Sequence, residues 1–160
     1  TPVKIFHKGY YNHMEESHEL LVSYGNEKIW DVLAENPRNR VVVFGEQPEM
    51  LRFPCSTQSY TDIEGSGGNF NLSSSPEALA EFFTFAGVDH IYLGSGYLKP
   101  GTDGFRNVTG LLKQGYLSDL LYENGNGLAV FSPEPRELSA EESEALLAEF
   151  TEKYWPGEQQ

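Results

Sequence analysis

The chain reads as a three-layer αβα domain built on a mixed, mostly parallel sheet, and three observations predict it. The run Arg40-Val-Val-Val-Phe-Gly45 is continuously apolar and β-branched, as a strand covered on both faces requires. Helical periodicity then alternates with short strand-like segments in the order strand, helix, strand, helix. Near the end, two apolar segments flank Asn124-Gly-Asn-Gly127, the composition of a hairpin turn.

Element by element, residues 10–36 are helical in character, with Leu20, Leu21, Tyr24, Ile29, Trp30 and Leu33 as apolar positions. Gly25-Asn26 interrupts the run, Asn26 is a natural N-cap for a second piece from Glu27 to Glu35, and Asn36-Pro37 stops it. The strand Arg40–Gly45 follows. Gln58 to Ile63 is read as a weaker, alternating strand, and Glu64 to Phe70 as a loop. Ser75-Pro76-Glu77 opens a helix with a cap, a proline in the first turn and an acid at the positive dipole end. Leu79, Phe82, Phe83 and Ala86 continue it at helical spacing, and Gly87 closes it. The adjacent Phe82, Phe83 and Phe85 are expected to pack against the sheet rather than to line a sugar-binding surface.

His90-Ile-Tyr-Leu93 is the next strand, with His90 expected to be a hydrogen-bonded packing residue. A loop from Gly94 to Gly104 leads into a short helix at Val108 to Lys113, closed by Gly115. Leu120–Tyr122 and Leu128–Phe131 are the hairpin strands. Ser139-Ala-Glu-Glu142 is a capping box that opens a long amphipathic helix, ended by Trp155-Pro156. The expected architecture is thus Rossmann-like. It is one domain over 1–160, with an N-terminal helical segment at 1–36, an α/β core at 37–132 and a C-terminal helix at 139–155.

The length of 160 residues suits one core, and 39% hydrophobic with 13% aromatic residues is enough to fill it. Eleven Lys and Arg stand against 24 Asp and Glu, a formal net charge of -13. Such a surface repels phosphate backbones and anionic leaflets, so no nucleic acid is expected as a partner. No stretch approaches the 18 or so apolar residues of a membrane span, and no signal peptide follows Thr1. A start at Thr is what a processed or excised chain would have.

Ligands of open α/β sheets sit beyond the carboxyl ends of the strands. Here that rule points to Glu46, Asp62, Glu64, Ser95 and Asp103. Paired carboxylates in such a crevice could exchange protons or hold a hard cation. Solvated loop-end acids in an acid-rich chain are the plainer alternative. Gly65-Ser-Gly-Gly68 lacks the Lys-Ser/Thr and the immediate helix of a phosphate loop, and reads as a turn.

His7, His13, His18 and His90 have no metal-ligand spacing; His13 and His18 stand about 140° apart around a helix. No metal and no cofactor is expected. The single cysteine, Cys55, has no partner and is expected to be a buried, inert thiol. Asn71-Leu-Ser73 and Asn107-Val-Thr109 match the glycosylation pattern, a match common by chance. No Gly-x-Ser-x-Gly elbow is present.

Several local phrases occur in a characteristic order. They are Lys28-Ile-Trp-Asp-Val-Leu-Ala-Glu-Asn36, Arg40-Val-Val-Val-Phe-Gly-Glu-Gln-Pro48 and Phe53-Pro-Cys55. Ser75-Pro-Glu-Ala-Leu-Ala-Glu-Phe-Phe83, Ala86-Gly-Val-Asp-His-Ile-Tyr-Leu93, Gly115-Tyr-Leu-Ser-Asp-Leu-Leu-Tyr122 and Gly127-Leu-Ala-Val-Phe131 follow. This order resembles the C-terminal soluble domain of bacterial polytopic membrane glycosyltransferases of the protein-mannosyltransferase-like, lipid-phosphate-sugar-dependent class. The resemblance spans Glu27 to Ser132 and rests on diffuse motifs.

In that family an extracytoplasmic α/β domain follows a many-helix membrane portion, and the catalytic carboxylates lie in loops near the N-terminus of the full protein. The resemblance therefore carries no catalytic residue over to this chain. It implies an accessory domain at the extracytoplasmic face, partnered by the membrane portion of its own parent protein and by a glycan or lipid-linked sugar. Two other readings stay open: a small enzyme or binding domain using the strand-end carboxylates, and a protein-interaction module.

Overall fold

The computed structural model describes residues 25–45, 51–64 and 74–154. The helical stretch expected before Gly25, the glycine loop after Glu64, the first glycosylation triplet, Glu46, His7, His13, His18 and Trp155-Pro156 lie outside these. Among the described residues ten elements follow in order: α1 (Glu27–Ala34), β1 (Arg40–Phe44), β2 (Ser56–Ser59), α2 (Tyr60–Glu64) and α3 (Pro76–Ala86). Then come β3 (His90–Leu93), α4 (Asp103–Lys113), β4 (Leu117–Glu123), β5 (Asn126–Phe131) and α5 (Ala140–Lys153).

The five strands form one mixed sheet in the order β2-β1-β3-β5-β4. β1 runs parallel to both β2 and β3, and the β4–β5 hairpin adds antiparallel to β3. Alternation along the strands divides the core into two layers. Val41, Val43, Tyr92 and Leu128 face Ile29 and Leu33 of α1. Val42, Phe44, Ile91, Leu93, Ala129 and Phe131 face the four other helices, through Tyr60, Phe83, Leu111 and Phe150 among others. Among the described residues the αβα sandwich is lopsided, with one helix packed on one face of the sheet and four on the other.

The local start and stop signals act as their chemistry predicts. The Ser75 side chain accepts from Ala78 N–H, and Gly87 adopts φ 70° to close α3. Ser139 and Glu142 exchange both bonds of the capping box. The capping of α4 by Thr102 starts that helix at Asp103, earlier than the apolar residues alone suggest.

The strand expected at Gln58–Ile63 is instead the end of β2 followed by the single turn α2. Tyr60 and Ile63 stand three apart, which puts both on one helical face, and Tyr60 stacks on Phe44 at 4.3 Å. The Ser59 hydroxyl accepts from Thr61 N–H and turns the chain into that helix. The hairpin turn is only Asn124-Gly125, both at positive φ (51° and 81°), as in a type I′ turn. Asn126 and Gly127 therefore belong to β5. Phe83 packs against Phe131 of the sheet as expected and Phe82 is partly buried against the same core, whereas Phe85 is 89% exposed, because it lies on the far side of α3 from Phe83.

Candidate functional site

β1, β2 and β3 all finish on one edge of the sheet, where this fold class places its ligands. The antiparallel hairpin brings its turn to the same edge, with Gly127 paired to Leu93. At this mouth the protein's own polar groups bond one another. Asn126 accepts from Ser95 N–H at 2.8 Å and donates to Asn26 Oδ1 at 2.9 Å. Asn26 in turn donates to the Tyr92 hydroxyl at 2.8 Å. Asn26, Tyr92 and Asn126 are all buried.

The same turn holds the N-terminus of α1. Glu123 accepts from the backbone N–H groups of Lys28 and Ile29 at 3.0–3.2 Å, so a carboxylate from another strand caps the helix. Asn26 precedes α1 as expected, but its side chain does not cap the helix; it is committed to Tyr92 and Asn126. Asn124 donates to the Gly25 carbonyl at 3.1 Å. Gly25 must be glycine there, since a Cβ would lie 2.9 Å from Asn124 Cβ and φ is 77°.

On the other side of the mouth, the Tyr154 hydroxyl donates to the Gly94 carbonyl at 2.6 Å and accepts from Leu98 N–H at 3.0 Å. Burial pushes the Tyr154 phenol up to about 12 against the lowering effect of the bond from the Leu98 N–H, and burial likewise raises Tyr92. Both are protonated phenols at neutral pH and act as fixed hydrogen-bond donors and acceptors.

The sequence-predicted residues fare unequally. Ser95 is at the mouth, yet its part in the network is its backbone N–H; the residue is otherwise exposed. Asp62 lies exposed on α2, and Glu64 is the last residue of that helix rather than a strand end. Asp103 opens α4, is 64% exposed and pairs with Arg106 at 2.9 Å. Glu46 lies outside the described residues. Sequence reasoning missed Tyr92, Asn126 and Glu123, and gave Asn26 a local role only. The Asn-Gly turn hinted that the flanking residues meet something, but their partners lie about 100 residues away in the chain.

At the opposite edge, Asp89 accepts from Arg40 N–H at 2.9 Å and stands near His90 and Cys55. Burial lowers the His90 pKa, opposed by Asp89 and by Asp119. The expected hydrogen-bonded histidine is not what forms. His90 Nδ1 is buried and meets no partner among the described residues, because its strand neighbours on β1 and β5 are Val41 and Val130. Asp119 sits in a β4 irregularity between Ser118 and Leu121, at φ 49°. Burial, helped by Asp89, raises the Cys55 thiol to about 11, so the thiolate needed for nucleophilic chemistry is scarce.

Among the described residues no group of three or more His, Cys, Asp or Glu is placed to hold a metal ion. Nor is any helix among them long and apolar enough to cross a membrane. Comparison with protein-family models, with curated proteins and with solved structures finds no match to this chain.

Proposed function

We propose that this chain is a non-catalytic accessory domain of a membrane-embedded glycosyltransferase-like protein, held at the extracytoplasmic face by its own membrane portion. There it aids acceptor binding or assembly. The observation that carries the non-catalytic part is the mouth of the sheet. Asn26, Asn126, Tyr92 and Glu123, which occupy the position where this fold class binds ligands, are committed to one another and to backbone groups. The glycosyltransferase part rests on the ordered phrases from Lys28 to Phe131, and a mixed α/β fold suits the domain that resemblance implies.

The test is a transfer assay with a lipid-phosphate-linked sugar donor. It is run on the complete reading frame that contains this chain, on that protein lacking it, and on the 160-residue chain alone. The accessory reading expects no turnover from the chain alone and impaired transfer when it is removed. Turnover by the chain alone that is lost in Asp62→Ala or Asp103→Ala would instead establish an independent enzyme at the strand ends. A reading frame without upstream apolar spans of about 20 residues would remove the membrane partner altogether.

A further inference from the structure

The segment Asn124-Gly-Asn-Gly127 contains the dipeptide Asn-Gly twice, and the fold treats the two copies differently. Asparagine is a thermolabile residue, and it is most labile before glycine. Glycine has no side chain to shield its backbone nitrogen, so that nitrogen reaches the preceding side-chain amide with the least hindrance.

Asn126 is closed to this reaction. It is buried, its oxygen accepts from Ser95 N–H and its nitrogen donates to Asn26 Oδ1. Gly127, whose nitrogen would attack, lies inside β5 with Leu93 on one side and Tyr122 on the other. Asn124 is exposed. Gly125 stands in the turn and outside the ladder, because Glu123 pairs directly with Asn126. What restrains this copy is the bond from Asn124 Nδ2 to the Gly25 carbonyl at 3.1 Å, together with the positive φ values of Asn124 and the buried Gly125.

We propose that Asn124 is a site of spontaneous deamidation, gated by its contact with Gly25, and that Asn126 is protected from the same reaction. When the contact opens and the turn relaxes, the Gly125 amide loses its proton to solvent base and attacks Asn124 Cγ. A C–N bond forms, the Cγ–Nδ2 bond breaks, and ammonia leaves a cyclic imide behind. Water then opens the imide at either carbonyl, giving aspartate or, with the chain rerouted through the side chain, isoaspartate. No oxidant or reductant takes part. The product places a carboxylate opposite the Gly25 carbonyl and beside Glu123, which holds the first N–H groups of α1. Reaction therefore loosens α1 from Val41, Val43 and Tyr92. The site is independent of the accessory role proposed above.

The 160-residue chain, folded and in urea, is incubated at neutral and at mildly alkaline pH, and the amide-to-acid mass change is mapped by peptide. In the folded chain conversion is expected at Asn124 alone, faster at the higher pH and slower than in urea, where both asparagines convert. Gly25→Ala removes the gate, since a Cβ at φ 77° would crowd the Asn124 amide. It should hasten conversion of Asn124 about fivefold or more, the factor that the net stabilisation of one hydrogen bond supplies. The deamidated fraction, separated by anion exchange, should melt below the parent. Asn126 is the internal control for folding. If Gly25→Ala converts both asparagines it has unfolded, and the parent's own folded and urea rates decide. An Asn124 still intact in the folded chain when the urea sample has fully reacted overturns the proposal. Equal conversion of the two asparagines in the folded parent, equal Asn124 rates with and without urea, or a folded Gly25→Ala that reacts no faster than the parent overturns it equally.

Discussion

Asn126 serves Ser95 N–H with its oxygen and Asn26 with its nitrogen, so Asn126→Ala strands two partners at a buried position. Each unsatisfied group costs about 1–3 kcal/mol. The urea midpoint should fall accordingly. Ser95→Ala keeps the backbone donor, and its stability should stay within about 0.5 kcal/mol of the parent. Equal losses in the two variants would mean that the Ser95 hydroxyl, and not the amide chain, organises the mouth.

His90 supplies a pH dependence at the same scale. Its folded pKa lies below the ordinary 6.5 because of burial, with Asp89 and Asp119 opposing. Above about 6.5 both states are neutral and His90 adds no pH slope. As pH falls below that value the unfolded chain takes a proton that the folded chain refuses, and stability declines until the lowered folded pKa is reached. Glu142 acts in a different window. Its folded pKa is held below 4.5 by the Ser139 backbone bond, so its contribution is present above 4.5 and is lost as pH falls through the depressed value. His90→Gln should therefore flatten the stability curve between pH 7 and the carboxylate range, as read by urea midpoints. An unchanged slope would assign that pH dependence to other groups.

Among the elements, α5 is integral to the domain. Its outer face is polar and acid-rich, yet Phe150 and Tyr154 are buried to within 2% exposure, and the two rings stack at 4.9 Å. Ser143 also donates to the Lys113 carbonyl and ties the start of α5 to the end of α4. Loss of a buried aromatic costs about 3–5 kcal/mol, and this segment carries two. A chain ended after Glu137 should lose cooperative thermal unfolding by circular dichroism. A sharp transition near the parent's midpoint would show that α5 merely lies on a core complete without it. Tyr154 gives the element its reach, since its hydroxyl fixes Gly94 and Leu98 across the mouth of the sheet.

For the whole molecule the dominant quantity is the net charge of -13, which opposes compaction through self-repulsion. Raising NaCl from about 0.01 M to about 0.15 M shortens the Debye length from about 30 Å to about 8 Å. The thermal midpoint should therefore rise, measured on dilute samples where association is negligible. A flat response would mean that the acids are spaced too widely on the folded surface to repel one another appreciably.

What the sequence determined by itself were the features set by neighbours along the chain. The Val41–Phe44 run demands cover on both faces, Ser75-Pro76 and Ser139–Glu142 satisfy helix N–H groups within three residues, and Asn124-Gly-Asn-Gly127 marks a hairpin, whose turn the structure narrows to Asn124-Gly125. Gln58–Ile63 reads as a strand in the sequence because a single turn is too short to show helical periodicity, whereas Tyr60–Glu64 is a helix whose Tyr60 stacks on Phe44. The tertiary structure alone decided the mouth of the sheet. An asparagine bonds equally well to its own helix or to a strand a hundred residues on, and only the docked hairpin commits Asn26 to Asn126 and lends Glu123 to α1. It also decided which strand lies at the edge, because pairing order depends on crossovers that no local pattern encodes.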